Sequence, residues 1–223
     1  MRLRVDCVDI YEEDVDSLHP GRLLRSNIIE FYTSCLVDRY AESLATSGCR
    51  TLMVPLSVVF AVCAFRDAAL LGAVERLEEV KCVLLPMADF TNGGRSGNGD
   101  HYSLLCLLRN GSAEPFVAYH CDSISTRNLS IAQDACRVLA GAFRVTEGVA
   151  TASSFPQQRN GYDCGLYVCF GAERICEELQ HRGPGGAAAL LTQAESGLWF
   201  DAAAVELDGR KQIAALLESY QVQ

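Results

Sequence analysis

Long apolar runs are missing from this chain of 223 residues, and so is an excess of basic charge. No uninterrupted apolar stretch approaches the roughly 18 residues that a bilayer crossing needs, and no signal-peptide stretch follows the charged opening Met1-Arg2-Leu3-Arg4-Val5-Asp6. The expectation is an intracellular protein, cytoplasmic or nuclear, with no membrane partner. Lysine and arginine total 19 against 28 acidic residues, a net charge of −9. Phosphate binding wants clustered basic side chains, so nucleic acid is not expected as a partner. A basic protein surface would be steered toward this chain instead. Metal-binding spacings are absent too. No C-x2-C pair occurs, and the nearest cysteines, Cys164 to Cys169 and Cys169 to Cys176, fall on one predicted helix, so neither metal nor cofactor is expected.

With 49% hydrophobic and 21% charged residues the chain can bury a real core, and its length suits one domain over residues 1–223. Its eleven cysteines are an odd number without a secretion signal, which speaks against a disulfide framework. Cys35, Cys63, Cys82, Cys106, Cys136, Cys169 and Cys176 sit among apolar neighbours and read as small core residues.

Periodicity sketches the elements. Residues 3–16 alternate apolar and acidic types, which suits short edge strands or an extended lead-in. A helix follows from Ser26, a candidate cap, to the stop at Ser47-Gly48, and two shorter helical patterns cover 57–65 and 67–77. The period then changes. Strands are expected over 80–86, 102–108 and 115–121, the last two forming a hairpin across Arg109-Asn110-Gly111-Ser112. A helix is expected over 129–143, a strand near 144–149, a helix from Cys164 to about His181, a loop or insertion within 182–200, and a closing helix over 207–220. This mixture without regular strand-helix alternation is an α+β pattern.

The most informative stretch is Pro156-Gln157-Gln158-Arg159-Asn160-Gly161-Tyr162-Asp163-Cys164-Gly165. It delivers a thiol at a helix N-terminus, where the helix favours thiolate over thiol. Gln158, six residues upstream, can supply an amide donor to a developing oxyanion. A cysteine acyl-transfer enzyme also needs a base and an orienting carboxylate, and only four histidines are available. His19 and His181 lie beside Pro and Gly turns, where solvated histidines are the norm. His101 opens a strand after the glycine-rich stretch 92–99, and His120 nearly ends the next strand, two residues before Asp122. His101 is the preferred base, with Asp122 on its Nδ1 side. His120 reads as a strand residue hydrogen-bonded nearby.

At this point the residues resemble the Ulp-type (sentrin/SUMO-specific) cysteine proteases. The resemblance rests on His101-Tyr102-Ser103, on Cys121-Asp122-Ser123 and, above all, on Gln158 through Cys164, and it spans roughly 15–180. It implies a papain-like α+β fold with a central mixed sheet flanked by helices. Within the family the deneddylase branch is most similar, through Leu24-Arg25-Ser26-Asn27-Ile28-Ile29 and Tyr162-Asp163-Cys164-Gly165-Leu166-Tyr167-Val168. In that branch the segment 80–105 includes a loop that closes on substrate. The family has tryptophan where Tyr102 and Leu23 stand, and these two would roof a narrow tunnel over the substrate tail. Ser26 replaces a usual aspartate.

The resemblance therefore implies a monomeric thiol protease and isopeptidase that cuts after the C-terminal Gly-Gly of a ubiquitin-like modifier, with modified cullins among its conjugates. Cys164 would be nucleophile, His101 base, Asp122 orienting carboxylate, and Gln158 the oxyanion donor. Alternatives are a protease for SUMO or ubiquitin, a non-catalytic modifier-binding module, or an acetyltransferase on a related scaffold.

Overall fold

Two stretches with hardly a polar residue, Val80–Ala88 and Tyr102–Leu108, become the centre of a sheet covered on both faces. The computed structural model describes residues 2–5, 8–72, 74, 76–89, 100–193 and 199–221. Strands β1 (Arg2–Val5) and β2 (Val8–Tyr11) form an antiparallel hairpin, followed by the short helix α1 (Glu12–Asp16) and the long helix α2 (Ser26–Thr46). Then come β3 (Arg50–Met53), α3 (Leu56–Phe65), two 3-10 turns (Ala68–Leu71 and Leu77–Glu79), β4 (Val80–Ala88), β5 (Tyr102–Leu108) and β6 (Phe116–Cys121). Helix α4 (Leu129–Phe143), β7 (Val145–Thr151), α5 (Cys164–Thr192) and α6 (Ala202–Gln221) complete the chain.

The five strands run in the order β3-β4-β5-β6-β7. The inner pairs β4–β5 and β5–β6 are antiparallel, and the outer pairs β3–β4 and β6–β7 are parallel, so the sheet is mixed as expected. Successive strand side chains point to opposite faces. Cys82, Leu84, Leu104 and Cys106 join the core made with α2, α5 and α6, while Val83, Leu85, Leu105 and Leu107 join the one made with α3 and α4. A strand buried on both sides has no polar face to alternate with, hence the uninterrupted apolar sequence. The cysteines read as core residues are buried, except Cys63, which is partly buried against the second core. Cys82 and Cys106 face each other at 3.7 Å between sulfurs, and burial pushes the Cys49 and Cys136 thiols up to about 11.

Several sequence expectations need correction. Residues 12–16 are helical rather than extended, because Asp14 turns back to accept the Tyr11 N–H (2.9 Å) and closes a first turn. Ser26 is the first residue of α2, not its cap; Arg25 precedes the helix without a side-chain cap bond. The pattern over 67–77 yields only a 3-10 turn. Asp67 accepts from the Ala69 N–H (2.9 Å), and Gly72, at φ 70, ends the turn. Strand β3 was not anticipated.

The loop expected within 182–200 is helical to Thr192. Gly183 (φ 66, ψ −167) breaks the helix, and Pro184 then starts the resumed segment, where its missing N–H is harmless. Trp199 packs on the domain. Its ring lies edge-on to Phe155 at 4.9 Å, and its Nε1–H donates to Ser154 Oγ (3.2 Å). The stretch 92–99 lies outside the described residues.

Candidate active site

The start of β5, the end of β6 and the N-terminus of α5 carry the candidate catalytic residues. His101 immediately precedes β5, Asp122 immediately follows β6, and Cys164 is the first residue of α5. The antiparallel register pairs Leu104 with Cys121, which brings the two flanking residues together. His101 Nε2 lies 2.6 Å from Asp122 Oδ1. The carboxylate is therefore on the Nε2 side of the ring, not on Nδ1 as the sequence reading had it. Sequence fixes which residues meet but not the rotamer of an imidazole.

Asp122 is held from all sides. Besides His101, its oxygens accept from the backbone N–H groups of Ile124 (2.8 Å) and Asn128 (2.9 Å). Burial would raise its pKa, but the His101 bond and these two N–H groups outweigh it and hold the carboxyl below the usual carboxylate range. Asn128 also donates from Nδ2 to the His101 carbonyl (3.2 Å), tying the two strand ends together.

For His101 burial works downward, and the Asp122 carboxylate and then the Cys164 thiol reverse it, raising the imidazole to about 9. His101 Nδ1 is buried with no hydrogen bond of ordinary geometry among the described residues, so the influence of Cys164 on the ring is one of proximity. His120 stands apart. Its Nε2 is 3.0 Å from Ser103 Oγ and 3.9 Å from Asp122 Oδ2, and burial pushes it down to about 4.

The loop before Cys164 is braced by its own side chains, of which only Gln158 has a role in the sequence reading. The Gln158 side chain accepts from Ser123 Oγ (2.6 Å) and donates to the Asn160 carbonyl (2.6 Å), which fixes the orientation of its amide and leaves its second N–H. Gln157 donates to the Asp122 carbonyl (2.8 Å) and accepts from the Ser125 N–H (2.7 Å). Asn160 Oδ1 accepts from the N–H groups of Tyr162 and Asp163, both at 3.0 Å, folding the turn that presents Cys164. Gly165 is required by close approach. A Cβ there would sit 2.9 Å from Leu24 Cβ, so α5 meets the segment carrying Leu23 almost backbone to side chain.

The expected roof residues differ from each other. Leu23 is 38% exposed and open to a ligand, but Tyr102 is 1% exposed. In this conformation Tyr102 is a core residue rather than a tunnel wall, because its ring packs inward and its hydroxyl lies 3.2 Å from Ser26 Oγ. Two departures from the family pattern thus touch each other. A serine–tyrosine contact at that spacing was not readable from either residue alone. Cys164 itself is only 1% exposed. Among the described residues no group of three or more His, Cys, Asp or Glu could hold a metal ion, and no helix is long and apolar enough to cross a membrane.

Buried imidazole, carboxylate and thiol at a helix N-terminus are the parts of a cysteine hydrolase. Residues 74–193, more than half of the chain, match the Ulp1 protease family, C-terminal catalytic domain. The chain belongs to this family. It is a Ulp1-family cysteine peptidase domain, similar to sentrin-specific protease 8 of Rattus norvegicus (28% identical over 199 residues, covering 85% of this chain and 88% of the relative). It is similar also to NEDD8-specific protease 1 of Arabidopsis thaliana (29% over 181 residues, covering 78% and 75%). Among solved structures, the yeast Ulp1 protease domain in complex with SMT3 has the same fold, with a TM-score of 0.60 and 18% identity over all of this chain and 89% of that one.

Proposed function

We propose that this Ulp1-family peptidase cuts after the C-terminal Gly-Gly of a ubiquitin-like modifier of the NEDD8 type, removing it from conjugates such as modified cullins and maturing its precursor. The observation that carries the reading is the 2.6 Å contact of Asp122 with His101 Nε2, which leaves the Nδ1 side of the same ring to Cys164. With His101 raised to about 9, the ring is an imidazolium at neutral pH, and its charge favours the sulfur anion that attacks. The thiolate adds to the glycine carbonyl. The Cys164 N–H and the Gln158 amide stabilise the oxyanion, and His101 then gives its proton to the leaving amine. Water, deprotonated by the now neutral imidazole, hydrolyses the thioester.

Recession of the thiol supports the substrate class. A nucleophile 1% exposed is best approached by a chain without side chains near the scissile bond, and glycine alone provides that. The name of the Arabidopsis thaliana relative, NEDD8-specific protease 1, supports a NEDD8-type modifier. Tyr102 and Leu23 at the family's roof positions, with Ser26 at its aspartate position and bonded to Tyr102, keep SUMO and ubiquitin as alternatives.

NEDD8, SUMO and ubiquitin carrying C-terminal electrophiles provide the test. Covalent capture on Cys164, fastest with NEDD8 and absent in Cys164→Ala, is expected. Capture that persists in Cys164→Ala would end the reading, and tight binding of every probe without capture would favour a non-catalytic binding module.

A further inference from the structure

Helix α6 lies beyond residues 74–193, yet two of its side chains reach the loop that delivers Cys164. Glu206 accepts from the Arg159 backbone N–H (3.0 Å), from Arg159 Nη2 (3.0 Å) and from the Tyr167 hydroxyl (2.9 Å). About one helical turn further on, Arg210 is 6% exposed and donates to Asp163 Oδ1 through Nε (3.1 Å) and Nη2 (2.5 Å). Its terminal nitrogens also donate to the carbonyls of Ser17 (2.7 Å), His19 (3.3 Å), Arg22 (2.6 Å) and Tyr162 (3.2 Å). A guanidinium with this many fixed partners has little freedom to move.

Asp163 is the residue just before α5, where an aspartate ordinarily folds its carboxylate back onto the second or third N–H of the helix. Here no such cap bond forms. Oδ1 is held by Arg210, and Oδ2 accepts from Asn160 Nδ2 (2.8 Å). Of the first N–H groups of α5, that of Leu166 already donates to the Asp163 carbonyl (2.8 Å), which leaves those of Cys164 and Gly165 as the donors beside the thiol. A released carboxylate would compete for those donors and set a negative charge beside the thiolate and the developing oxyanion.

We infer that Arg210 is a positioning residue for the peptidase reaction: it draws the Asp163 carboxylate away from the N-terminus of α5 and so keeps that N-terminus open to the charge that develops at Cys164. This rests on the reading of Cys164 as nucleophile, which Cys164→Ala tests separately. Turnover of NEDD8 bearing a C-terminal aminocoumarin amide is measured for wild type, Arg210→Gln, Arg210→Gln/Asp163→Ala and Cys164→Ala, with urea unfolding as the check on folding. Arg210→Gln is expected to lower kcat by about 10- to 100-fold with KM within about 3-fold, at or below the roughly 100- to 1000-fold cost of a lost oxyanion donor. The double variant, having no carboxylate to intrude, recovers at least about 5-fold of that kcat.

A double variant no faster than Arg210→Gln, or an effect confined to KM, would overturn the inference. Should Arg210→Gln fail to fold, the double variant decides alone, since it removes both members of the buried pair: kcat within about 10-fold of wild type supports the inference and a larger loss contradicts it. Turnover surviving in Cys164→Ala would sink the nucleophile reading instead, so the two failures are distinguishable.

Discussion

His101 and His120 are both fully buried, flank the same carboxylate, and belong to the ends of adjacent strands, yet they are driven to opposite protonation states. Burial disfavours the charged imidazole in each. What separates them is partner distance. His101 has Asp122 at 2.6 Å with Cys164 beside it, and rises to about 9. His120 is 3.9 Å from the other carboxylate oxygen, bonds the neutral Ser103 hydroxyl, feels His101 as a like charge, and falls to about 4. Asp122 Oδ1 serves His101, and the backbone N–H groups of Ile124 and Asn128 hold the carboxylate in that orientation, with His120 left beyond hydrogen-bond range.

The sharpest way to break this comparison is to remove each ring in turn. His101→Ala should lower kcat/KM on a modifier amide by about 10⁴-fold, whereas His120→Asn, which can still bond Ser103, should cost less than about 10-fold. Asp122→Asn comes next. It removes the charge that raises His101 and should cost on the order of 10³-fold, read as kcat/KM with the fold intact by circular dichroism. Gln158→Ala should cost about 10²-fold, seen in kcat more than in KM, because the amide acts mainly in the transition state.

The smallest effect is on stability, and it has opposite signs for the two rings. His101 is raised above its ordinary 6.5, so its contribution is complete below about 6.5 and is lost as pH rises through about 9. His120 is depressed below the same value, so its contribution is complete above about 6.5 and is lost as pH falls toward about 4. Urea midpoints against pH should therefore peak near 6.5. His101→Ala should flatten the alkaline limb and His120→Asn the acid limb. Asp122 adds a further loss at still lower pH, because its carboxyl is held below the usual range.

Legibility in the sequence followed locality. The helix Leu129–Phe143 and the strand Tyr102–Leu108 were readable to the residue, because each has a strong period and clear flanking breaks. The short parallel strand Arg50–Met53 was not, since it pairs with Val80–Leu84, about thirty residues away. The run Arg182-Gly183-Pro184-Gly185-Gly186 reads as a loop by composition. One left-handed glycine takes up the whole irregularity, and Pro184 is harmless at the start of the resumed helix.

At the site, the meeting of His101 with Asp122, and the place of Cys164 beside the same ring, were legible in motif order. The ring face used by Asp122, the inward turn of Tyr102 and the grip of Glu206 and Arg210 on the nucleophile loop were not. An acid and a base four residues apart on a helix read as an exposed pair. Here both side chains point at the loop carrying Arg159 and Asp163 instead.

The most direct test of the division between the two histidines is the rate at which NEDD8 with a C-terminal electrophile captures Cys164 in wild type, His101→Ala and His120→Asn, measured side by side at neutral pH. Capture in His120→Asn within about 3-fold of wild type and in His101→Ala slowed by at least about 100-fold is the result expected of a thiolate that depends on one imidazole alone. Equal slowing in both variants, or the reverse order, would contradict it.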